Sequence, residues 1–398
     1  MRLIVFLIAA SLYNLGVSVF FLLYNLHLLD LGYQESFLGL VTGIQTAGSI
    51  CGTLPAGWFG SRFGLRAALG VTFLGGALVS VARAAVTGQT ALLVLAFLGG
   101  VMLAGWAVSV APAISQLVPE AGRPRAFSLF SALGIGMGAL AGLAGGRLPQ
   151  WTSRLLAGLG DPKQLAIWTG AAIVASALLP LAALRLERSP ARKPEQRNVR
   201  SLDPFLRRYL LAAIAWNLFV GAFPPFFNVY FSRLYRAETS QVGMVFAGAQ
   251  AAQVVAVLLA PWLFARLGLA RGIPVTQVGA AAMLAALAAA PGAGAAMLPA
   301  AVAYAGYLSF QWMSEPGWLS LLMNRSATER QSGASAWNFF VVFSTHAVAA
   351  VAFGAAVARW GYAWPLVGVS LLGLLSAVVF RRLLSETASE IAAKTSAR

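Results

Sequence analysis

Residues 11–27, SLYNLGVSVFFLLYNLH, return in altered form at residues 214–230 as IAWNLFVGAFPPFFNVY. This offset of 203 aligns Asn14 with Asn217, Asn25 with Asn228 and, further on, Glu35 with Glu238. After one inserted residue the offset is 204, and it aligns Gly39 with Gly243, Trp58 with Trp262, Arg62 with Arg266, Gly64 with Gly268 and Pro112 with Pro316. A register kept over so long a stretch marks a duplicated chain. Both copies are built of long apolar runs, so the number of spans in each copy decides the fold.

Of 398 residues, 59% are hydrophobic and 10% charged, and the mean hydropathy is +0.77. That composition excludes a water-soluble enzyme. A helical span takes about 20 apolar residues. Twelve such runs lie near residues 4–30, 36–59, 66–86, 90–115, 126–147, 165–185, 208–232, 239–265, 272–290, 297–323, 334–358 and 364–380. They are too long for barrel strands and lack a period of two. The reading is an all-α membrane protein of twelve transmembrane helices in two pseudo-symmetric six-helix bundles. Six is even, so the halves share one orientation and are parallel repeats about an axis along the membrane normal, with a cavity expected on that axis. The domains are then residues 1–186, a cytoplasmic linker 187–207 within the polar, proline-bearing stretch ERSPARKPEQRNVRSLDPFLRR, residues 208–382, and a cytoplasmic tail 383–398.

The formal charge of +16 would suggest a nucleic-acid partner in a soluble domain, but here the basic residues sit between apolar runs and set orientation instead. With a cytoplasmic N-terminus, 21 of the 28 Lys and Arg residues fall inside. The outside set is Arg83, Arg147, Arg154, Lys163, Arg233, Arg236 and Arg359. The bias places both termini in the cytoplasm. The first apolar run, carrying Asn14 and Asn25, reads as a retained span rather than a signal peptide. Cys51 is the single cysteine, so an intrachain disulfide is excluded, and it reads as a small buried packing residue.

Between the second and third spans stands GWFGSRFGLRAAL, residues 57–69, with a weaker copy, PWLFARLGLAR, at residues 261–271. It resembles the signature loop of the major facilitator superfamily, whose pattern runs from a glycine to an aspartate, arginine, aromatic, glycine and further basic residues. The resemblance implies a transporter fold and a cytoplasmic gate formed by Gly57, Arg62, Gly64, Arg66 and, in the second copy, Arg266. Gly57 is expected to let helices approach closely, while the arginines alone would also serve to fix topology. Ser61 stands where the family has aspartate, which puts the charge relay attributed to that residue in doubt. Proton-driven drug antiporters of the family carry an arginine in the fourth helix, where this chain has Ala96. Their fifth-helix motif is matched only by the glycines of GALAGLAGG, residues 138–146, which read as tight helix packing.

Polar groups inside a span are functional candidates. Asn14 and Asn25 are eleven residues apart, about 20° from alignment on a helix, and Asn217 and Asn228 repeat the stripe. In the family fold the first, fourth, seventh and tenth helices line the central cavity. These four residues, with Gln45, Gln250, Gln311 and Trp318, are therefore the substrate-binding candidates; interhelical hydrogen bonding is the alternative. Glu315 is the one acid well inside a span, about 12 Å from its cytoplasmic end. Beside Pro316, which breaks helix hydrogen bonding, it reads as a proton-coupling site, with a partner for a cationic solute and a structural acid as alternatives. His346, in the neighbouring eleventh span, would be its relay or an interhelical bond. Trp106, Trp216, Trp312, Trp318 and Trp337 make the interior aromatic, which suits an amphipathic solute.

The expected function is alternating-access transport of a small organic solute, coupled to protons, by a monomer in a bacterial inner membrane. The alternatives are a facilitative uniporter, or a lipid scramblase or other non-transport protein on the same fold. Import and export stay open. Phosphate-binding glycine loops, metal-ligand clusters and nucleophile triads are missing from the pattern, so neither enzyme activity nor a cofactor is expected, and the partners are solute, protons and lipid bilayer, not nucleic acid.

Overall fold

The computed structural model describes residues 2–119, 122–155, 160–184, 186, 203–290, 296–325 and 331–396. Most of the expected linker, residues 187–202, lies outside them, as does the end of the tail, and no side chain is described beyond residue 384. The helices are α1 (Arg2–Asp30), α2 (Glu35–Phe63), α3 (Leu65–Ala85), α4 (Gln89–Leu117), α5 (Arg123–Leu140), α6 (Leu148–Leu155), α7 (Pro162–Ser176) and α8 (Leu178–Ala183). There follow α9 (Pro204–Ala222), α10 (Phe227–Tyr235), α11 (Thr239–Ala289), α12 (Met297–Arg325), α13 (Gln331–Trp360) and α14 (Ala363–Ser396). Among the described residues there is no strand.

Ten described segments are long and apolar enough to cross a membrane. The 51-residue α11 counts there as one, although Gly268 (φ 66, ψ 170) breaks it into two helices. The more polar α12 is not among the ten. With both taken into account, the twelve spans read from the sequence are present. Leu54, Leu179, Leu258 and Leu298 point outward from them, as lipid-facing residues do.

Local chemistry explains the helix starts. Asp161 caps α7 by accepting from the Gln164 N–H at 2.9 Å, and Asp203 caps α9 by accepting from the Leu206 N–H at 2.7 Å. In both, a proline follows the cap, with its φ already helical and no N–H to leave unpaired. Pro224 and Pro225 begin a short 3-10 segment, Pro224–Phe226, between α9 and α10.

The chain divides into two compact units, Met1–Glu195 with Asn228–Ala247, and Gln196–Phe227 with Gly248–Arg398. Inside the first, α1 lies so close to α7 that a Cβ on Gly16 would stand 2.4 Å from the Gly170 carbonyl oxygen. Inside the second, α9 and α14 repeat this contact at offset 203, with Phe219 at the place of Gly16 and Gly373 at that of Gly170; a Cβ on Gly373 would stand 2.7 Å from the Phe219 ring. Likewise, Gly75 on α3 makes room for Met102 on α4; at offset 204 Gly279, the counterpart of Gly75, makes room for Phe310, and Gly306, the counterpart of Met102, makes room for Met283 on α11.

Two further glycines mark the repeat through their backbone rather than their packing. Gly64 has φ 94 and ψ 156, and its counterpart Gly268 has φ 66 and ψ 170. Only glycine adopts this region readily. Nothing lies within 4 Å of a Cβ built at Gly268, so its replacement tests the backbone alone. Gly268→Ala should cost about 1–3 kcal/mol, read as a lowered midpoint of unfolding in detergent; an unchanged midpoint would show that the turn relaxes without strain.

Candidate functional site

In the first unit, the substrate-binding candidates have different surroundings. Asn14 is half-buried on α1, and its Nδ2 donates to the Ala10 carbonyl at 2.9 Å. Gln45, half-buried on α2, accepts from Arg83 Nη1 at 2.6 Å. Asn25 is half-buried near the end of α1. Asn228 is fully enclosed: its Nδ2 donates to the Leu22 carbonyl at 2.8 Å and its Oδ1 accepts from the Val229 N–H at 2.9 Å. Both of its polar atoms thus already have protein partners.

In the second unit, Asn217 repeats the bond of Asn14, donating to the Ala213 carbonyl at 2.9 Å. With Nδ2 so engaged, Oδ1 is the acceptor that His346 Nε2 meets at 3.1 Å, which puts the imidazole proton on Nε2. The close approach of α13 is made by Gly221, one turn further along α9, where a Cβ would stand 2.6 Å from the His346 Cα. In the first unit the neighbour of Asn14 is Gly134, whose Cβ would lie 3.8 Å from Nδ2. The duplicated asparagine thus meets a histidine in one half and a glycine in the other. Among the described residues no hydrogen bond joins His346 to Glu315; the partner of His346 is the asparagine.

Glu315 is half-buried in α12, ten residues before the helix ends at Arg325, which is about 15 Å along the axis. The helix stays continuous through Pro316, although proline leaves the Trp312 carbonyl without its usual donor. Tyr209 on α9 lies within electrostatic reach of Glu315, and its hydroxyl donates to the Trp318 carbonyl at 3.4 Å. The described residues place no cation in an ion pair with Glu315. Gln311 is buried on the same helix with Oε1 unpartnered. Trp318 packs edge-on against Tyr209 and Phe380, and Gln250 is half-buried on α11. Of the tryptophans expected inside, Trp216 and Trp318 are buried, but Trp312 is 44% exposed.

At the loop motif, Arg62, Arg66 and Arg266 are exposed, and Arg266 lies over the Trp262 ring at 4.2 Å. Ser61 turns its hydroxyl back to the Trp58 carbonyl at 2.8 Å, so it offers these arginines no charge. The expected close approach at Gly57 is corrected: a Cβ there would lie 3.8 Å from Val108, an ordinary contact. The tight crossing of α2 with α4 is made instead by Gly48, Gly52 and Gly100. The glycines of residues 138–146 do pack tightly, since Gly142, in a π-helical turn at Ala141–Gly145, puts its Cβ position 2.6 Å from the Gly243 carbonyl oxygen. Cys51 is exposed rather than buried, because the face of α2 turned to α4 is the one bearing Gly48 and Gly52.

One polar residue is read from the sequence by its place in the chain only. Arg83, counted among the outside charges, is 3% exposed and enclosed by α1, α2 and α4. A signal exists, because its repeat counterpart at offset 204 is Leu287. Among the described residues, no group of three or more His, Cys, Asp or Glu side chains is placed to share a metal ion.

The fold is shared with solved transporters of low sequence identity. A point mutant of the nucleoside transporter NupG superposes with a TM-score of 0.80 at 11% identity, covering 96% of this chain and 99% of that one. A bacterial homologue of the human lysosomal transporter Spinster, in an inward-facing and unoccupied conformation, gives 0.78 at 13%, with 98% and 97% covered. A D-xylose-proton symporter gives 0.71 at 16%, with 96% and 97% covered. No curated protein matches the chain. Residues 6–350 match the profile of the Major Facilitator Superfamily, and with the duplicated helices and the paired loop glycines this makes the chain a multi-pass membrane protein belonging to that superfamily of transporters.

Proposed function

We propose that the chain is a secondary active transporter that moves a small organic solute by alternating access, coupled to protons at Glu315. The observation that carries this reading is Glu315 itself, the one acid well within a span, half-buried and without a cation partner among the described residues. A carboxyl so placed can exist protonated or ionised, and the two states differ by a full charge inside the membrane. Asn14, Asn25, Gln45, Gln250 and Gln311 supply the polar contacts for the solute, with Asn217, Asn228 and Trp318 shaping the helices around it. His346 acts through Asn217, fixing the amide by its hydrogen bond. Arg62, Gly64, Arg66 and Arg266, with Gly57, form the cytoplasmic gate. It works as a monomer in a bacterial inner membrane, and the distribution of basic residues supports cytoplasmic termini.

Reconstitution into liposomes with an entrapped pH dye tests it, using a library of small organic solutes. The wild type should give a solute-dependent pH change, and Glu315→Gln should reduce it to the level of empty liposomes while leaving the folded yield unchanged. Solute flux without proton movement, equal in the two proteins, would make the chain a facilitative uniporter. Movement of labelled phospholipid between leaflets with no solute flux would make it a scramblase.

A further inference from the structure

Arg83 is a full positive charge that transport at Glu315 does not use. It lies in the last turn of α3, yet its side chain is covered by α1, with the guanidinium 4.1 Å from the Tyr24 ring centre and 4.9 Å from that of Phe20. Nη1 donates to Gln45 Oε1 at 2.6 Å, while Nε is buried with no partner. The acids on the neighbouring helices and loops are engaged elsewhere: Asp30 with Lys163 at 2.6 Å, Glu35 with Arg233 at 3.6 Å, and Asp161 beside His27 at 3.6 Å. A buried cation with neither a counter-ion nor a full set of acceptors among the described residues is costly, and the carbonyl end of α3 offsets only part of that cost.

The duplication supplies an internal comparison. At offsets 203 and 204, the positions of Tyr24, Gln45 and Arg83 are Phe227, Ala249 and Leu287 in the other half, and all three are buried. The same three positions of the repeated fold therefore carry no polar side chain. Architecture does not require the arginine.

Beside the guanidinium is a partly open cleft lined by Tyr13, Phe20, Phe21, Gln45, Arg83 and Leu103, among others. A few polar groups converging in a mostly apolar concavity is the usual make-up of a small-molecule site. Gly99 keeps it open at the charged end, since a Cβ there would stand 3.3 Å from Nη1. Among the described residues no carboxylate lines it. With Gln45 Oε1 held by Arg83, the Gln45 amide nitrogen is left to donate.

We propose that this cleft binds the carboxylate of a small organic acid with an aromatic or other apolar body. The guanidinium fork and the Gln45 amide receive the two carboxylate oxygens, a charge-assisted pairing that supplies the missing counter-ion. Tyr13, Phe20 and Phe21 receive the body. The inference rests on the transport reading only in taking this acid to be the transported solute; binding itself can be measured without transport.

The test is equilibrium binding to the purified full-length protein in detergent, using benzoate, phenylacetate, 3-phenylpropionate and octanoate, each paired with its neutral primary amide. At least one carboxylate should bind, with its amide at least about tenfold weaker. Arg83→Leu, which installs the residue of the other half, should lose the binding at an unchanged unfolding midpoint, and Arg83→Lys should keep the charge but weaken it. No carboxylate preference anywhere in the series overturns the proposal, and this comparison needs only the wild type should Arg83→Leu fail to fold. Retained binding in a folded Arg83→Leu protein, or equal competition by inorganic phosphate, also overturns it. Carboxylate binding with no solute-driven proton movement would leave this site standing and sink coupling at Glu315; proton movement driven by neutral solutes alone would do the reverse.

Discussion

Replacing Gly100 by alanine should leave little folded protein. The added Cβ would stand 1.8 Å from the Gln45 carbonyl oxygen and 2.8 Å from the Ser49 amide nitrogen. Both are main-chain atoms of α2, so no side-chain rotation relieves the clash. The crossing is tight from the other side too, because a Cβ on Gly48 would stand 2.1 Å from the Phe97 carbonyl oxygen. To restore ordinary contact, α2 and α4 must part by about 1.5 Å, which breaks the bond from Ser49 Oγ to the Gly100 carbonyl, now 3.0 Å. In a bilayer, helix association depends on close packing and such bonds, since lipid is as apolar as the helix surface. The expected cost is about 3 kcal/mol or more, seen as loss of the monodisperse peak in size-exclusion chromatography and a lowered unfolding midpoint. Gly57→Ala is the control and should behave as wild type, with its Cβ 3.8 Å from Val108. Equal damage from both would show that the crossing is not where the stability lies.

Gly221→Ala should be nearly as damaging, for a different reason. Its Cβ would stand 2.6 Å from the Cα of His346 and 2.8 Å from Cδ2, so α13 is pushed off α9. That displacement also breaks the hydrogen bond between His346 and Asn217, one turn away at 3.1 Å. Overpacking and the lost bond together should cost about 3 kcal/mol. Asn217→Leu removes the bond without the clash and should cost about 1 kcal/mol. Unfolding in detergent separates the two: equal losses would mean that the bond, not the close approach, holds α13 in place.

The duplicated plan is legible in the sequence because the repeat is written in residues whose roles depend on backbone and position. Asn14 and Asn217 share their bond to the carbonyl four residues earlier, and Gly64 and Gly268 share a backbone state that favours glycine. Twelve apolar runs are enough to count the spans. What a single sequence does not carry is which face of a helix meets which neighbour. Gly57 stands in a recognisable motif, which points to it as the packing glycine, whereas the contact is made at Gly48, Gly52 and Gly100. Depth alone puts His346 near Glu315, and its partner is an amide on another helix. Position near a span end assigns Arg83 to the outer surface, since the α1 aromatics that cover it are distant in the chain. The π-helical turn at Ala141–Gly145 has no sequence signal beyond its glycines.

The knobs and holes of the two halves also bear on how this chain diverged. Gly75 receives Met102 in one half, while Gly306 receives Met283 in the other; Gly16 faces Gly170, while Phe219 faces Gly373. In each of these contacts a glycine stands on at least one of the two helices, so the crossing persists while the residue facing it changes. Drift at a position that faces such a glycine changes side chains and leaves the backbone path alone. It accounts physically for a chain that superposes on solved transporters over nearly its whole length while sharing between 11% and 16% of its residues with them.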